Sequence, residues 1–505
     1  MLWILFSILL VTLWRIFSLV SNRKLIKMSN KIKCGQKCYP FVGHAYLFVG
    51  DGARRMQSFQ VLARDAIQNG GRTNLWLGYK YFVIIVDPVD LEVILKTSLE
   101  KDDMLRFVRN LLGNGSVFAP VSIWRPRRKI LAPIFNAKKI NQFVPVFSKH
   151  AGVLMKELQS VEGTGPFSLW RYMASYNMNS VCETAFGVEV NAQKDTDKQF
   201  LKAFDECCQL AAARMLQPWL YSNAVYRLLP YHATFEWCKK VIYNFVDKAI
   251  KAKRVTMKED GRELKTRAHD MKTFLELLIE VSGGDRGYSD TELEEETLVI
   301  VVAGTDTSAV GLSFTVSMLA RHPHVQDLVF KELQEVFGDS DRPLTPEDLH
   351  RLKYMDAVVR ETLRLYPPVP IVARKIERDL VLPSGTALVS GCGVLIHIWG
   401  THRNPQYWGD DAEQFRPERF IDAPLKHPAA YLPFSYGPRN CVGQQFAMMS
   451  IKTALATLLR RYRVSMPDSR KQDGVDFADA PITVSFDIMM KDVDGFTVQM
   501  ERRKK

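Results

Sequence analysis

Hydrophobic and polar positions recur with two different periods along this chain, and each period predicts a different element. From about residue 140 to 335, apolar residues recur at helical spacing and prolines are few, which predicts a mostly helical region. The stretch NLWLGYKYFVIIV (74–86) is rich in β-branched and aromatic residues, which predicts two strands around a turn at Gly78–Lys80. Asp87 followed by Pro88 is typical of a helix start.

Capping residues predict where the longest helix begins. Ser289 and Glu292 form an S-x-x-E capping box ahead of an apolar run. We therefore expect a long helix from this point to about His322. A further helix is expected to begin at Thr345–Pro346 and to end before Pro367.

Short strands are predicted towards the C-terminus. The segment LVLPSGTALVSGCGVLIHI (380–398) combines β-formers with turn residues, and Asp494–Gly495 predicts the turn of a last hairpin. The expected fold class is mainly α with small β-sheets.

The first twenty residues, MLWILFSILLVTLWRIFSLV, are apolar apart from Arg15. A helix of about 20 such residues spans a bilayer, and no cleavage site of a signal peptide follows. Arg15 can snorkel to one face, or the segment can lie in the interface. Basic residues follow up to Lys37, which places the rest of the chain in the cytosol by the positive-inside rule. The expected organisation is a transmembrane anchor at 1–21, a basic linker at 22–38 and one catalytic domain at 39–505.

The charge balance indicates an acidic partner. The 505 residues carry a formal net charge of +13, which suits an anionic membrane, an acidic protein or nucleic acid. No basic run is interleaved with aromatic residues, so no nucleic-acid partner is expected. The eight cysteines are too few for a disulfide framework in so long a chain, and free thiols in a reducing compartment are expected.

Cys441 stands in the segment FSYGPRNCVGQQFA (434–447), between Gly437 and Gly443. If Cys441 were a nucleophile, it would need a histidine nearby. A zinc ligand would need further protein ligands, and a redox pair would need a C-x-x-C spacing. The segment supplies none of these, although a histidine could approach in space. A thiolate that holds haem iron is one remaining interpretation, and a structural cysteine on a glycine-rich turn is the other.

The neighbours of Cys441 suit the haem interpretation. The two glycines let the backbone approach a flat macrocycle, and a helix predicted after Cys441 places its N-terminus beside the sulfur, where it stabilises a thiolate. Phe434 can cover the sulfur, and Arg439 can pair with a carboxylate.

The segment resembles the F-x-x-G-x-R-x-C-x-G signature of the cytochrome P-450 monooxygenases, from Phe434 to Gly443. The resemblance implies that Cys441 is the axial ligand of haem b (iron protoporphyrin IX), and that the fold is the P-450 fold behind a membrane anchor. Phe434, Arg439 and Gly443 are then cofactor-binding residues.

Three further motifs match the family in order. Glu361 and Arg364 form E-x-x-R and would join Arg419 of P-E-R-F in a structural triad. Ala303-Gly304-Thr305-Asp306-Thr307 resembles the A-G-x-D-T motif, which implies that Thr307 holds a proton-relay water network fed by Asp306; a buried cap or salt bridge is the other interpretation of this aspartate. Trp124 and Arg128 form W-x-x-x-R and, with Arg374 and Arg439, would hold the haem propionates.

The resemblance covers nearly the whole chain and implies the microsomal type. Such enzymes lie on the endoplasmic reticulum with the catalytic domain in the cytosol. They take electrons from NADPH through the flavoprotein NADPH-cytochrome P-450 reductase, with cytochrome b5 as a possible second donor. The expected reaction inserts one oxygen atom of O2 into an apolar small molecule such as a fatty acid, hormone, odorant or xenobiotic.

The chain looks most like the animal family-four branch, which is abundant in insects, with two departures. Ala303 stands where fatty-acid hydroxylases of that branch commonly have a glutamate that esterifies the haem, and VSIW replaces the usual G-x-x-W before Trp124. A covalent haem link, and the terminal-carbon selectivity associated with it, is therefore not expected.

Two other functions stay open. A haem-thiolate isomerase or dehydratase would act on a peroxide without external electrons, and a non-catalytic haem sensor would need no proton relay. The substrate-facing segments expected by analogy are 104–120, 298–307, 368–373 and 486–496. Their apolar residues are Leu105, Phe107, Val108, Phe118, Val299, Val302, Val369, Ile371, Val372, Met489 and Met490.

Overall fold

Long helices form the frame of the molecule, which a computed structural model describes over residues 22–187, 195–260, 272–281, 288–467 and 480–503. The α-helices are α1 (Arg23–Ser29), α2 (Gly52–Gln68), α3 (Pro88–Thr97), α4 (Arg106–Leu112), α5 (Val121–Leu131), α6 (Ala137–Asn141), α7 (Val144–Leu158), α8 (Trp170–Phe186), α9 (Asp195–Leu216), α10 (Asn223–Arg227), α11 (Pro230–Asp260), α12 (Phe274–Val281), α13 (Asp290–Arg321), α14 (Pro323–Phe337), α15 (Pro346–Arg351), α16 (Lys353–Leu365), α17 (Ile398–Thr401), α18 (Pro405–Trp408), α19 (Arg419–Asp422) and α20 (Gln444–Arg461).

Small sheets lie at the edges of this helical frame. The strands are β1 (Arg72–Leu77), β2 (Lys80–Ile85), β3 (Phe167–Ser168), β4 (Val372–Lys375), β5 (Leu380–Val381), β6 (Ala387–Leu388), β7 (Gly393–Ile396), β8 (Tyr462–Ser465), β9 (Val484–Asp487), β10 (Met489–Asp492) and β11 (Thr497–Arg502). They form the sheets β1-β2-β7-β4, β3-β11-β8, β9-β10 and β5-β6. The prediction of a mainly α protein with small sheets is confirmed.

Helix α13 runs through the centre of the core and is buried on nearly every side. Its 32 residues span about 48 Å at 1.5 Å per residue. The predicted capping box is present, since Ser289 and Glu292 satisfy each other's backbone N–H groups. Within the described ranges, α13 alone has the length and hydropathy of a membrane span, and 78% of its most apolar window is buried inside the protein. It is therefore a core helix.

The N-terminal predictions are only partly covered by the described residues. The anchor at 1–21 lies outside them. The predicted basic linker contains α1, and its residues Met28 and Ile32 are buried against the sheet. The Asn74 amide donates to the Ser29 and Ile32 carbonyls, which ties this segment to β1.

The turn at Gly78 and the helix start at Asp87 agree with prediction. Strands β1 and β2 pair antiparallel up to Leu77 and Lys80, with Gly78 in the left-handed region at φ 61°. The Asp87 carboxylate accepts from the backbone N–H groups of Val89 and Asp90, which caps α3.

Two other predictions are wrong. The helix expected from Thr345 to Pro367 is two helices, because Leu352 takes an extended ψ of 72° between α15 and α16. The last hairpin does not turn at Asp494–Gly495. Strand β10 pairs with β9 instead, and β11 pairs with β8 and β3. The Asp492 carboxylate accepts from the N–H groups of Asp494 and Phe496, which diverts the chain, and the Phe496 ring packs on Phe314 in the core.

Candidate active site

The loop that carries Cys441 is shaped by its own backbone. The Cys441 N–H donates to the Phe434 carbonyl at 2.8 Å, and Ser435 and Gly437 have φ values of 61° and 74°. A Cβ on Gly437 would lie 2.6 Å from the Leu95 carbonyl oxygen at the end of α3. Gly437 is therefore needed for close packing against α3.

Gly443 is the residue that leaves space beside the sulfur. It caps the N-terminus of α20, and a Cβ built on it would meet the Cys441 Sγ and a Phe135 ring atom only at 3.9 Å. Phe434 also borders the cavity that Cys441 faces. The backbone next to the sulfur is thus open to a large flat group.

The Cys441 thiol lies inside the protein, and its accessible surface faces a cavity. Burial raises the pKa of this thiol, while the Gly443 N–H and the Arg128 guanidinium pull the pKa back down. Among the described residues no group of three or more His, Cys, Asp or Glu side chains could hold a metal ion. Cys441 is therefore a solitary thiol, and the other metal ligands would have to come from a cofactor.

One face of α13 forms the opposite wall of the cavity. The lining positions recur along the helix and are Glu296, Val299, Ile300, Val302, Ala303, Gly304, Thr307 and Ser308. The Thr307 hydroxyl donates to the Ala303 carbonyl at 2.6 Å. A Cβ on Gly304 would lie 3.0 Å from Val181 of α8, so this glycine also permits close helix packing.

Asp306, which is adjacent to Thr307 in sequence, does not line the cavity. Its carboxylate pairs with Lys491 Nζ at 2.9 Å and is 5% exposed. Lys491 also pairs with Asp205 at 2.6 Å, and the Asp205 side chain reaches solvent. Burial alone would lower the pKa of Lys491, but the Asp306 and Asp205 carboxylates raise it above its ordinary value. The salt bridge considered as an alternative for Asp306 is thus present.

Buried cations crowd one rim of the cavity. The Arg439 guanidinium lies 4.3 Å from the centre of the Trp124 ring and donates to the Ala119 carbonyl. Its Nε and Nη1 are buried without a hydrogen-bond partner among the described residues, and so is the Nε of Arg374. Arg374 does not itself border the cavity, but it follows the lining residue Ala373 and lies close to Arg439. Burial lowers the pKa of Arg374 and of Arg439 to about 10, and the pKa of Lys101 falls well below its usual range through burial and these two arginines.

Arg128 approaches the cysteine loop. Its guanidinium donates to the carbonyl oxygen and the Oδ1 of Asn440, at 3.0 and 2.7 Å. This contact holds α5 against the residue that precedes Cys441. The sequence predicted Arg128 beside a carboxylate of the cofactor, and gave no signal for Lys101 or for the role of Asn440.

The side chains predicted to form a triad are in contact, on the far side of the cysteine loop. Arg364 donates to both carboxylate oxygens of Glu361 at 2.7 Å, and Arg419 Nε donates to Glu361 Oε1 at 3.2 Å. Glu361 and Arg364 are fully buried. Arg364 also donates to the carbonyls of His402, Ala412 and Gln414, so the cluster ties α16 to the segment that leads to the cysteine.

Residues 34–481 match the protein-family model described as Cytochrome P450. The chain belongs to the cytochrome P450 family. It is similar to cytochrome P450 4V2 of Mus musculus, with 32% identity over 497 residues that cover 96% of this chain and 92% of the relative. Cytochrome P450 4c21 of Blattella germanica is 30% identical over 462 residues, which cover 89% of this chain and 91% of the relative. The predicted resemblance to family four is confirmed.

A P450 monooxygenase carries a haem with a cysteine thiolate ligand, and the cavity of this P450 fits that group. The rim supplies unpartnered guanidinium N–H groups, which suit the two carboxylates of protoporphyrin. Gly443 leaves the space next to the sulfur open. Both features are what a flat, dianionic macrocycle requires.

The cavity of this P450 has a volume of about 380 Å³, and most of its lining is apolar. Nine of the eleven apolar residues expected to face substrate do line it, namely Leu105, Val108, Phe118, Val299, Val302, Val369, Ile371, Val372 and Met489. The predictions for Phe107 and Met490 were wrong. Phe107 is buried against the Tyr221 ring, and Met490 is fully buried on the opposite side of β10 from Met489.

Proposed function

We propose that this P450 monooxygenase oxidises an apolar small molecule and receives its electrons from NADPH through a flavoprotein reductase. The observation that carries the proposal is one apolar cavity that is lined both by Cys441 and by Ala303, Gly304 and Thr307. An apolar cavity with few polar groups selects an apolar ligand.

The predicted cysteine and arginines have distinct roles in this proposal, and Lys101 joins them. Cys441 Sγ would ligate the haem iron, and Arg374, Arg439 and Lys101 would neutralise the propionates. Trp124 supports Arg439, and Arg128 holds the cysteine loop through Asn440. Bound haem supplies the iron that activates dioxygen, and the thiolate ligand increases the electron density that favours O–O cleavage.

Proton delivery is assigned to α13. The Thr307 hydroxyl stands at the cavity wall, where it can hold a proton or a water next to the substrate. Protons enter from solvent at Asp205 and pass Lys491 to Asp306 one residue before Thr307. The Lys491–Asp306 ion pair has to loosen for this passage, because the two charged groups are in direct contact at 2.9 Å.

The membrane assignment rests on an exposed apolar surface beside the β1–β2 turn. Leu228 is 86% exposed and Trp219 44%, on the connection between α9 and α11. The Tyr79 ring, also exposed, packs on Tyr221, which brings the β1–β2 turn to the same surface. We propose that residues 1–21 anchor the chain in the endoplasmic reticulum and that this surface rests on the cytosolic face of the membrane.

The net positive charge of the chain is assigned to attraction of an acidic electron donor. With a net charge of +13, the chain suits an acidic reductase, with cytochrome b5 as a possible second donor. A salt titration of the NADPH-dependent rate checks this assignment, because steering between opposite charges weakens as ionic strength rises.

Turnover under isotopically heavy O2 tests the proposed reaction. Membranes that contain the full chain and a reductase are given fatty acids, volatile esters, steroids and insecticides, and products are read by mass spectrometry. One heavy oxygen in the product, only with NADPH present, is the expected result. Conversion without NADPH and without label would instead establish the isomerase, and haem binding without conversion of any compound would favour the sensor.

A further inference from the structure

A second cavity lies beside the cavity that Cys441 faces, and its lining has a different character. Its volume is about 500 Å³, and nine of its thirteen lining residues are charged. Lys101, Leu105 and Phe118 border both cavities, so the two share a wall. We refer to this second cavity as the polar cavity, and the proposed oxygen chemistry does not use it.

Four charged residues of the polar cavity neutralise one another in two ion pairs. Lys80 Nζ lies 3.7 Å from Asp102 Oδ1, and Lys375 Nζ lies 3.1 Å from Asp103 Oδ2. Each pair is neutral as a unit, so these four residues do not decide which ion the cavity attracts.

The other two acidic residues of the lining are engaged elsewhere or screened. Glu100 Oε1 accepts a hydrogen bond from the Val121 N–H at 3.0 Å, and the Glu100 charge acts on Arg439. Glu377 is exposed to solvent, which screens its charge.

Two arginines of the polar cavity, Arg106 and Arg109, have no anionic partner among the described residues. They are three residues apart on α4, a spacing that places side chains side by side on one helix face. Both are partly exposed, so a ligand can reach them. The Arg106 guanidinium packs on the Phe107 ring at 4.7 Å, and Arg214 contacts the same ring at 4.5 Å, which adds positive charge nearby. Neighbouring guanidinium groups suit an oxyanion with several oxygens, such as a phosphate.

The polar cavity lies beside the surface assigned to the membrane. Tyr79 of the β1–β2 turn borders the cavity and is itself exposed. A Cβ on Gly78 in the same turn would lie 2.9 Å from Pro218, which precedes the exposed Trp219. The cavity is therefore placed where the phosphates of a bilayer meet the protein, next to apolar side chains that suit acyl chains.

We propose that Arg106 and Arg109 bind the phosphate of an anionic phospholipid from the membrane on which the chain rests. The ligand class is a phosphate ester that carries acyl chains, with the phosphate in the polar cavity and the chains on the apolar surface. This site rests on the proposed function only in that the surface beside it faces the membrane. A soluble phosphate ester has the same anionic group, and the experiment separates the two sources.

Photo-crosslinking of the haem-loaded full chain in bilayers tests the proposal without NADPH or substrate. The bilayers are phosphatidylcholine with a minority of phosphatidylglycerol, and the photoreactive group is placed on the headgroup of one lipid or of the other. Labelled peptides are identified by mass spectrometry. Labelling of the segments around Tyr79 and α4 by phosphatidylglycerol is expected to exceed that by phosphatidylcholine at least about tenfold, because a charged hydrogen bond is worth about that much.

Two double variants locate the site. R106Q/R109Q is expected to abolish the preference for phosphatidylglycerol in these segments. K138Q/K139Q is the matched control, because it removes the same charge from α6, which borders neither cavity. It is expected to keep the preference, and unchanged haem absorbance shows that each variant is folded.

Equal labelling by the two lipids in the unmodified protein would overturn the proposal, and so would an equal loss in both double variants. Glycerol 3-phosphate that removes the label at the bulk concentration of the lipid would assign the cavity to a soluble phosphate and overturn the lipid assignment.

A phosphatidylcholine with its photoreactive group on the acyl chain, close to the ester, tests the membrane surface separately. If it labels Trp219 and Leu228 while the headgroup probe does not label α4, the membrane assignment stands and the phosphate site is overturned. Preferential headgroup labelling of α4, lost in R106Q/R109Q, without label at Trp219 and Leu228 would support the phosphate site and contradict the membrane assignment.

Discussion

Two buried clusters of charge flank the cysteine loop, and they differ in how completely their hydrogen bonds are made. In the cluster of Glu361, Arg364 and Arg419, Arg364 uses its guanidinium on one carboxylate and three backbone carbonyls. At the cavity rim, Arg374 and Arg439 have guanidinium nitrogens with no partner in the described part of the chain. The first cluster is complete within the protein, whereas the second requires an anion.

The difference distinguishes buried charges that stabilise the fold from buried charges that bind a ligand. Burial is strong in both places, so burial alone does not tell them apart. The two clusters differ in whether their hydrogen bonds are all made. An unpaired buried cation costs folding free energy, and a bound anion offsets that cost. The lowered pKa of Arg374 and Arg439, to about 10, is the signature of that cost.

The largest effect on stability is expected from a change in the cluster of Glu361, Arg364 and Arg419. R364M leaves Glu361 with Arg419 and the Arg416 N–H as donors and strands three carbonyls, so unfolding free energy should fall by about 3–5 kcal/mol. The midpoint of denaturant unfolding, together with the soluble yield, measures this. A variant as stable as the unmodified protein would mean that the cluster does not hold α16 to the cysteine segment.

The same substitution at the rim should act on the cofactor. R374M removes a buried cation that has no anionic partner among the described residues, so the fold should lose little stability. Haem affinity should fall about ten- to a hundredfold, as expected for a lost charged hydrogen bond. The rate of haem transfer to an excess of a scavenging protein gives the affinity, and unchanged retention would contradict the assignment of this rim to the propionates.

The pH dependence of stability tests the complete cluster through His402, which contacts Arg364. Its Nδ1 donates to the Arg364 carbonyl, and its Nε2 accepts from the Leu432 N–H. Burial lowers the pKa of His402 to about 3, so the unfolded chain takes up a proton below about pH 6.5 that the folded chain does not. Stability is therefore full above pH 6.5 and is lost as the pH falls, by about 1.4 kcal/mol per pH unit.

The measurement is the unfolding free energy between pH 6.5 and 5 in the unmodified protein and in H402Q. The variant should show a shallower slope, although His397, whose pKa burial lowers to about 4, continues to contribute. Identical slopes would show that His402 is not held neutral by the fold.

The smallest effect is expected at the surface. Arg463 and Asp327 form an ion pair at 3.1 Å with both side chains about half exposed. R463A should change the unfolding free energy by less than about 1 kcal/mol, because solvent and salt screen exposed pairs. A loss comparable to that of R364M would show that burial does not control what an ion pair contributes here.

Motifs made of neighbouring residues were readable from the sequence. Glu361 and Arg364 are one helical turn apart, and Ser289 with Glu292 forms a local cap, so their contacts follow from helix geometry. Arg419 could be added only by resemblance to a family. Lys101 and Glu296 carry no motif, and their place at the cavity depends on packing between distant segments.

Neighbouring residues can also be separated by the fold. Asp306 and Thr307 are adjacent, but successive helix positions point about 100° apart, so one faces Lys491 and the other the cavity. The sequence predicted them as one unit because it does not show which partner each face of α13 meets.

The sequence by itself determined the family, the helical class, the single cysteine of the signature and the ends of the capped helices. These depend on local spacing, which survives without knowledge of the fold. Only the tertiary structure decided which buried charges have all their hydrogen bonds, that Gly437 packs on Leu95 and that β10 pairs with β9. It also decided that one Glu296 oxygen has no donor among the described residues. Those features depend on contacts between residues far apart in the chain, whose partners are chosen by packing and burial of the whole domain.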